Sequence, residues 1–235
     1  MTRLLTTICF ITLLVSCKSD SKDQNNVTNP ISEEKNNTSQ EEEKLTVAQE
    51  IGFAYGLENW VEVTQVDFTF NVDNDGKHFE RSWSWNPKTD DVKLTSGKDI
   101  ITYNRKSLDS VSLQADKSFI NDKFWLLAPY QIVWDEGTTI SELTKEIAPI
   151  SKTELNKITV LYANEGGYTP GDAYDFYFDK RHEVKEWIFR KGNSKEPTMI
   201  TTFENYAHFN GIKIAKDHIK PQGNWKLYFT NITVK

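Results

Sequence analysis

Cysteine is scarce: Cys9 and Cys17 are the only two in 235 residues, too few for a disulfide framework, so stability has to come from an apolar core. Basic charge is not in excess, 28 Lys and Arg standing against 34 Asp and Glu for a formal net charge of −6, which excludes the basic stripe of a nucleic-acid binder. Long apolar runs are missing beyond Leu4 to Val15; that run is shorter than the roughly 20 residues of a spanning helix, so a multi-pass membrane protein is excluded. There is no GxSxG elbow and no Walker or GxGxxG loop, the strings that present a nucleophilic serine or cradle phosphates. The four histidines, His78, His182, His208 and His218, are scattered without an HxH or HxxxH pair, so neither a metal site nor a cofactor is expected. What the chain has in quantity is aromatic surface, with 7 Trp, 9 Tyr and 13 Phe, large flat groups to bury in a core or to offer to a ligand.

Residues 1–16 carry one basic residue, Arg3, followed by an apolar core rich in Leu, Ile and Thr, the layout of an export signal. They lead into Leu14-Val15-Ser16-Cys17, which resembles the lipobox of bacterial lipoproteins, whose Cys becomes the lipidated first residue of the mature chain. The resemblance makes Cys17 the expected lipidation site and the membrane the partner of its acyl anchor, and it places Cys9 in the removed segment. Lys18 rather than Asp follows the Cys, which by the same resemblance favours the outer membrane of the cell envelope, with the periplasmic and the surface-exposed face both open. From Lys18 to Lys44 the chain is polar, with Val27 and Ile31 its only large apolar residues, so residues 17–44 are expected to form a lipidated Cys and a disordered tether. Residues 45–235 are expected to form one domain, long enough to bury roughly 70 % of its unfolded-state surface.

The domain opens on Val47, Ile51, Ala54, Tyr55 and Leu57 at helical spacing, closing near Asn59-Trp60. Val66, Phe68, Phe70 and Val72 then alternate, with a change of phase around Gln65 that suits a β-bulge. Asp73-Asn74-Asp75-Gly76 turns this strand into a second one that carries Phe79, Arg81, Trp83 and Trp85 on one face. Short strands follow near Val92 to Thr95 and Ile100 to Arg105. Asp116 to Ala128 then reads as a helix, with Ile120, Phe124 and Leu127 on one stripe, Phe119, Trp125 and Leu126 widening it, and Pro129 ending it. Strands return at Ile158 to Ala163, Ala173 to Phe178, Val184 to Phe189, Met199 to Phe203, Ile212 to Ala215 and Trp225 to Val234, and Thr169-Pro170-Gly171-Asp172 suits a type II turn. The expected class is mainly β (α+β): a single curved antiparallel sheet, an open half-barrel of about 9–11 strands with 2–3 helices covering its concave side.

The strings Phe119 to Pro129, Glu165 to Asp172, and Thr202-Phe203-Glu204-Asn205-Tyr206 ending at Gly211-Ile212 resemble those of a group of uncharacterised outer-membrane lipoproteins within the LolA/LolB-like half-barrel superfamily. The likeness runs over nearly the whole domain from about Leu45. It implies a carrier or binder of acyl chains in the concavity, with the apolar helix as plug or lid. No counterpart of the arginine with which the periplasmic carrier closes its lid can be matched residue by residue, and Arg81 enters as a candidate because it shares a strand face with Phe79, Trp83 and Trp85.

The candidate ligand-binding residues are therefore Phe79, Arg81, Trp83 and Trp85 on one strand, Tyr174, Phe176 and Phe178 on another and Trp187 and Phe189 on a third, with Phe124, Trp125, Tyr130 and Trp134 around the helix. Stacked across a sheet they would line a cavity for a lipid or other hydrophobic small molecule. Packed solid they would simply make the core, and the chain would be an envelope interaction module acting on a protein partner. A third reading, a carboxylate-dependent hydrolase, draws on Asp172, Asp175 and Asp179, the latter two on one side of an aromatic strand; outward polar groups explain them equally. The expectation carried forward is a lipid-anchored, non-catalytic binder with no nucleic-acid partner.

Overall fold

Helix α1 (Val47–Ala54) is started by a capping box: the Thr46 hydroxyl accepts from the Gln49 backbone N–H at 3.3 Å, and the Gln49 side chain accepts from the Thr46 N–H at 2.8 Å. The computed structural model to which it belongs describes residues 44–165 and 169–235. The signal, the Cys17 lipidation site, residues 18–43 of the tether, and Gly166, Gly167 and Tyr168 lie outside the described residues. After α1, Gly56 turns the chain into a 3₁₀ segment, Leu57–Glu62. Its φ is +89°, and a Cβ there would stand 2.0 Å from the Gly211 carbonyl oxygen, so only glycine allows this approach.

Strands β1 (Val66–Asn74) and β2 (Lys77–Asn86) form the expected hairpin, closed by Asp75 and Gly76 at φ 50° and 76°, as a type I′ turn requires. The phase change around Gln65 is not a bulge. Val63 and Gln65 belong to the exit from the 3₁₀ segment, and the register shift sits inside β1, between Asp67 and Thr69, against the last strand. β3 (Asp91–Ser96) and β4 (Asp99–Asn104) extend the meander to helix α2 (Ser110–Trp134). There follow β5 (Thr138–Ile140), β6 (Thr144–Ile147), β7 (Glu154–Tyr162), β8 (Ala173–Phe178), β9 (Val184–Arg190), β10 (Met199–Thr202), β11 (Glu204–Phe209), β12 (Ile212–Ile219) and β13 (Lys226–Val234).

Among the described residues all strand pairings are antiparallel and no barrel closes. Main-chain pairing divides their thirteen strands into a seven-stranded run, β11-β12-β13-β1-β2-β3-β4, and a six-stranded run, β10-β9-β8-β7-β5, with β6 also on β7. The runs meet where the chain passes from β10 to β11 through buried Phe203: Thr202 takes the Ile219 N–H on its hydroxyl at 3.1 Å, and its carbonyl oxygen lies 3.1 Å from His218 Nδ1. The result is the expected open, curved antiparallel sheet with more strands than its pattern suggests.

Helix α2 corrects the expectation that Pro129 ends the helix at Ala128. Asp109 caps its start through Ser112, and the helix runs on to Trp134 with a kink at Leu127, whose φ of −122° and ψ of 23° leave the helical range. Pro129 falls in the first turn of the resumed segment, where a missing N–H removes no intrahelical bond. The most buried stripe is Ser112, Ala115, Asp116, Phe119, Asp122, Lys123, Leu126 and Leu127, not the stripe of Ile120 and Phe124. It packs on the seven-stranded run through Trp83 and Trp85, whose rings meet Phe119 at centroid distances of 5.3 and 5.5 Å.

Candidate functional site

The face of α2 turned away from that core carries Ile120, Phe124 and Trp125, and it stands opposite strands β7 to β10. Between them lies a cavity of about 1050 Å³, partly open to solvent. Its sheet-side wall is Tyr162, Tyr174, Trp187, Phe189 and Met199. The wall is continuous aromatic surface: Phe124 stacks on Trp187 at 5.7 Å, Tyr174 on Phe189 at 5.0 Å, and Trp125 meets Trp187 edge-on at 4.5 Å. Strand β8 supplies Tyr174 because all six of its residues are buried, so alternation gives it no solvent face. Asp175, on its other side, is held by Arg190 at 3.0 Å and by the Thr159 hydroxyl.

A polar end adjoins the aromatic wall. Lys123, 9 % exposed, reaches Gln131; with the Gln131 amide oxygen turned to Nζ at 3.3 Å, the amide nitrogen donates to Asp135 Oδ1 at 3.0 Å. The Tyr162 hydroxyl donates to the other Asp135 oxygen. Burial pushes the Lys123 amine down to about 8, with the nearby Arg105 charge adding to the effect. Burial likewise raises the Asp135 carboxyl above the usual range, against the pull of Tyr162 and Lys123. Arg105 and Lys117 complete the cationic lining, Glu136 and Glu165 the acidic one. No Ser, Cys or His is among the described lining residues, and among the described residues no cluster of three or more His, Cys, Asp or Glu could hold a metal ion.

No protein-family model matches the chain, and no curated protein matches it. Among solved structures it is similar to a DUF1329 family protein from Desulfovibrio piger, at 10 % identity and a TM-score of 0.46, over 80 % of this chain and 93 % of that one. It is also similar to a domain from Vibrio parahaemolyticus named for outer membrane lipoprotein sorting, at 13 % identity and a TM-score of 0.47, over 80 % of this chain and 91 % of that one. The functional reading rests on the cavity itself.

Of the candidate residues, Phe124, Trp125, Trp134, Tyr174, Trp187 and Phe189 come together around the cavity. Trp83, Trp85, Tyr130, Phe176 and Phe178 sit in the packed core, 6 % exposed or less. Tyr130 is fixed there, donating its hydroxyl to the Tyr55 carbonyl and accepting the Lys213 N–H at 3.1 Å. Phe79 is exposed on β2. Arg81 donates through Nε and Nη2 to Asp122 at 2.5 and 2.6 Å, and the Trp83 indole donates to the same carboxylate at 2.8 Å. This clamp ties α2 to the seven-stranded run and makes the helix a pinned wall. Missing from the candidate set are Tyr162 and the polar group around Lys123. Lys123 was legible in principle, since it lies four residues from both Phe119 and Leu127 and so interrupts an apolar stripe with a charge.

Proposed function

We propose that this protein is a lipid-anchored component of the cell envelope, held at the outer membrane through Cys17, that binds a hydrophobic ligand, an acyl chain or lipid, in the cavity beside α2 without catalysis. The observation that carries the reading is the aromatic-walled cavity of about 1050 Å³, just above the roughly 300–1,000 Å³ of ligand sites. The driving force is burial: about 14 methylenes at about 0.8 kcal/mol each give roughly 11 kcal/mol gross, before the cost of ordering the chain. A fixed α2 implies entry from the open side of the cavity, with the helix staying in place.

The test is native mass spectrometry with solvent extraction on protein purified from an envelope-containing host. The expected result is a stoichiometric co-purifying lipid. A clean apo mass, together with refusal of added fatty acids and phospholipids, would overturn the reading in favour of an interaction module.

A further inference from the structure

Two of the three charged residues in the buried stripe of α2 are answered in place, Asp116 by Arg105 at 2.9 Å and Asp122 by Arg81. Lys123 is not: among the described residues its ammonium has one acceptor, the Gln131 amide oxygen, and beyond it the face of the Trp85 ring at 5.6 Å. An ammonium carries three donors, and a buried cation without an acceptor for each is costly. The carboxylates that bear on it, Asp135, Asp116 and Asp90, act only as fields from beyond contact, and Asp135 already accepts from Tyr162 and Gln131. Nζ therefore brings unspent donors to a cavity whose far wall is aromatic.

We propose that Lys123 is the anion-reading group of this cavity, so that the ligand is an acidic amphiphile whose anionic headgroup lies on Nζ and whose chain runs along Phe124, Trp187, Tyr174 and Phe189. The inference rests on the ligand-binding reading and goes further, since a purely apolar ligand would leave the amine unsatisfied. Arg105 and Lys117 share the lining and add positive field to the headgroup; Asp135, Glu136 and Glu165 lie on it too, and restrict the anion to the Lys123 side. The shared chemistry is a single anionic head, the carboxylate of a fatty acid or the phosphate of a lipid.

A linkage follows. In the ligand-free protein the amine loses its proton at about 8, and a bound anion holds that proton to higher pH. Affinity for an anionic ligand is then full below about pH 8 and falls by up to about tenfold per pH unit above it. The described residues carry their own core, so the chain produced from Lys18 onward keeps every described contact and needs no detergent. The experiment measures displacement of the neutral probe N-phenyl-naphthylamine by dodecanoate, dodecyl phosphate and dodecanol across pH 7 to 9.5, for the wild type and for Lys123→Met. The expected result is an advantage of the anions over the alcohol of about ten- to hundredfold at pH 7, shrinking above pH 8 and absent in Lys123→Met. Whichever anion binds tighter identifies the source of the headgroup. Equal affinity of acid and alcohol, or an advantage that survives both high pH and Lys123→Met, would overturn the proposal while leaving the hydrophobic cavity standing. If neither probe nor ligand binds, the ligand-binding reading falls with it. Should Lys123→Met fail to fold, the wild-type pH profile alone decides.

Discussion

Asp122 is fully buried, and its two oxygens receive four hydrogen bonds, two from Arg81, one from the Trp83 indole and one from the Asn121 amide at 3.0 Å. Removing one partner of such a pair strands the other, so Asp122→Ala is expected to lose about 3 kcal/mol, the lower end for a buried pair because Arg81 keeps some access to water. Urea denaturation reads this directly, and a loss under about 1 kcal/mol would show that the clamp does not pin α2. His218 makes a second case: it is enclosed by Trp125, Phe203 and Phe229, and burial lowers it from the ordinary 6.5 to about 4. The unfolded chain therefore takes up its proton first, so the stabilisation is present above about pH 6.5 and drains away as pH falls toward 4, up to about 3 kcal/mol in all. Melting temperatures from pH 7 to 4.5 should fall more steeply for the wild type than for His218→Phe; parallel profiles would assign the acid sensitivity to other groups. At this scale the sequence shows which residue types are present but not their neighbours. Trp83 and Trp187 look alike in an alternating strand, yet only Trp187 lines the cavity, because alternation assigns a face without saying what covers it.

At the scale of elements, what was legible followed strong local chemistry. The Asp75-Gly76 turn, with φ 50° and 76°, carries residues that tolerate left-handed backbone. Thr169 to Asp172 closes as expected, with Gly171 at φ +74° and the Asp172 N–H on the Thr169 carbonyl at 3.2 Å. β5, β6 and β11 were not legible: β6 is exposed along its whole length and β11 is mostly polar, so neither displays a buried period. The extension of α2 past Pro129 was hidden for another reason, since a proline that opens a new helical turn looks the same in sequence as one that closes the old. The sharpest element-level prediction concerns Gly56, where α1, the 3₁₀ segment and the β11–β12 loop converge. Gly56→Ala combines a positive φ with a backbone clash on Gly211 and is expected to cost more than about 2 kcal/mol. Gly76→Ala meets nothing within 4 Å and serves as the control for the φ cost alone; equal losses in the two variants would show that the Gly56 contact relaxes freely.

For the whole molecule, curvature turns two sheet runs into a receptacle: α2 fills one arm with its charged stripe, and its other face leaves the cavity against the second arm. The mainly β class was legible from the meander of alternating segments. The division of α2 into a locked face and an open face was not, because charged residues on the locked face mask its burial in any hydrophobicity pattern. Among the described residues no helix is long and apolar enough to cross a membrane, so attachment through a helical span would have to come from outside them. A diacylated cysteine would suffice, since two acyl chains at about 0.8 kcal/mol per buried methylene hold a protein on a bilayer nearly permanently. The proposal therefore makes attachment depend on one sulfur atom. Cys17→Ser should abolish incorporation of labelled palmitate and move the protein out of the membrane fraction, with the melting temperature measured alongside to show that the variant is folded. Sedimentation after a high-salt wash separates this from peripheral adsorption, which salt releases. A Cys17→Ser protein that stays membrane-bound through the wash would place the anchor elsewhere and remove the reason for assigning the protein to the outer membrane.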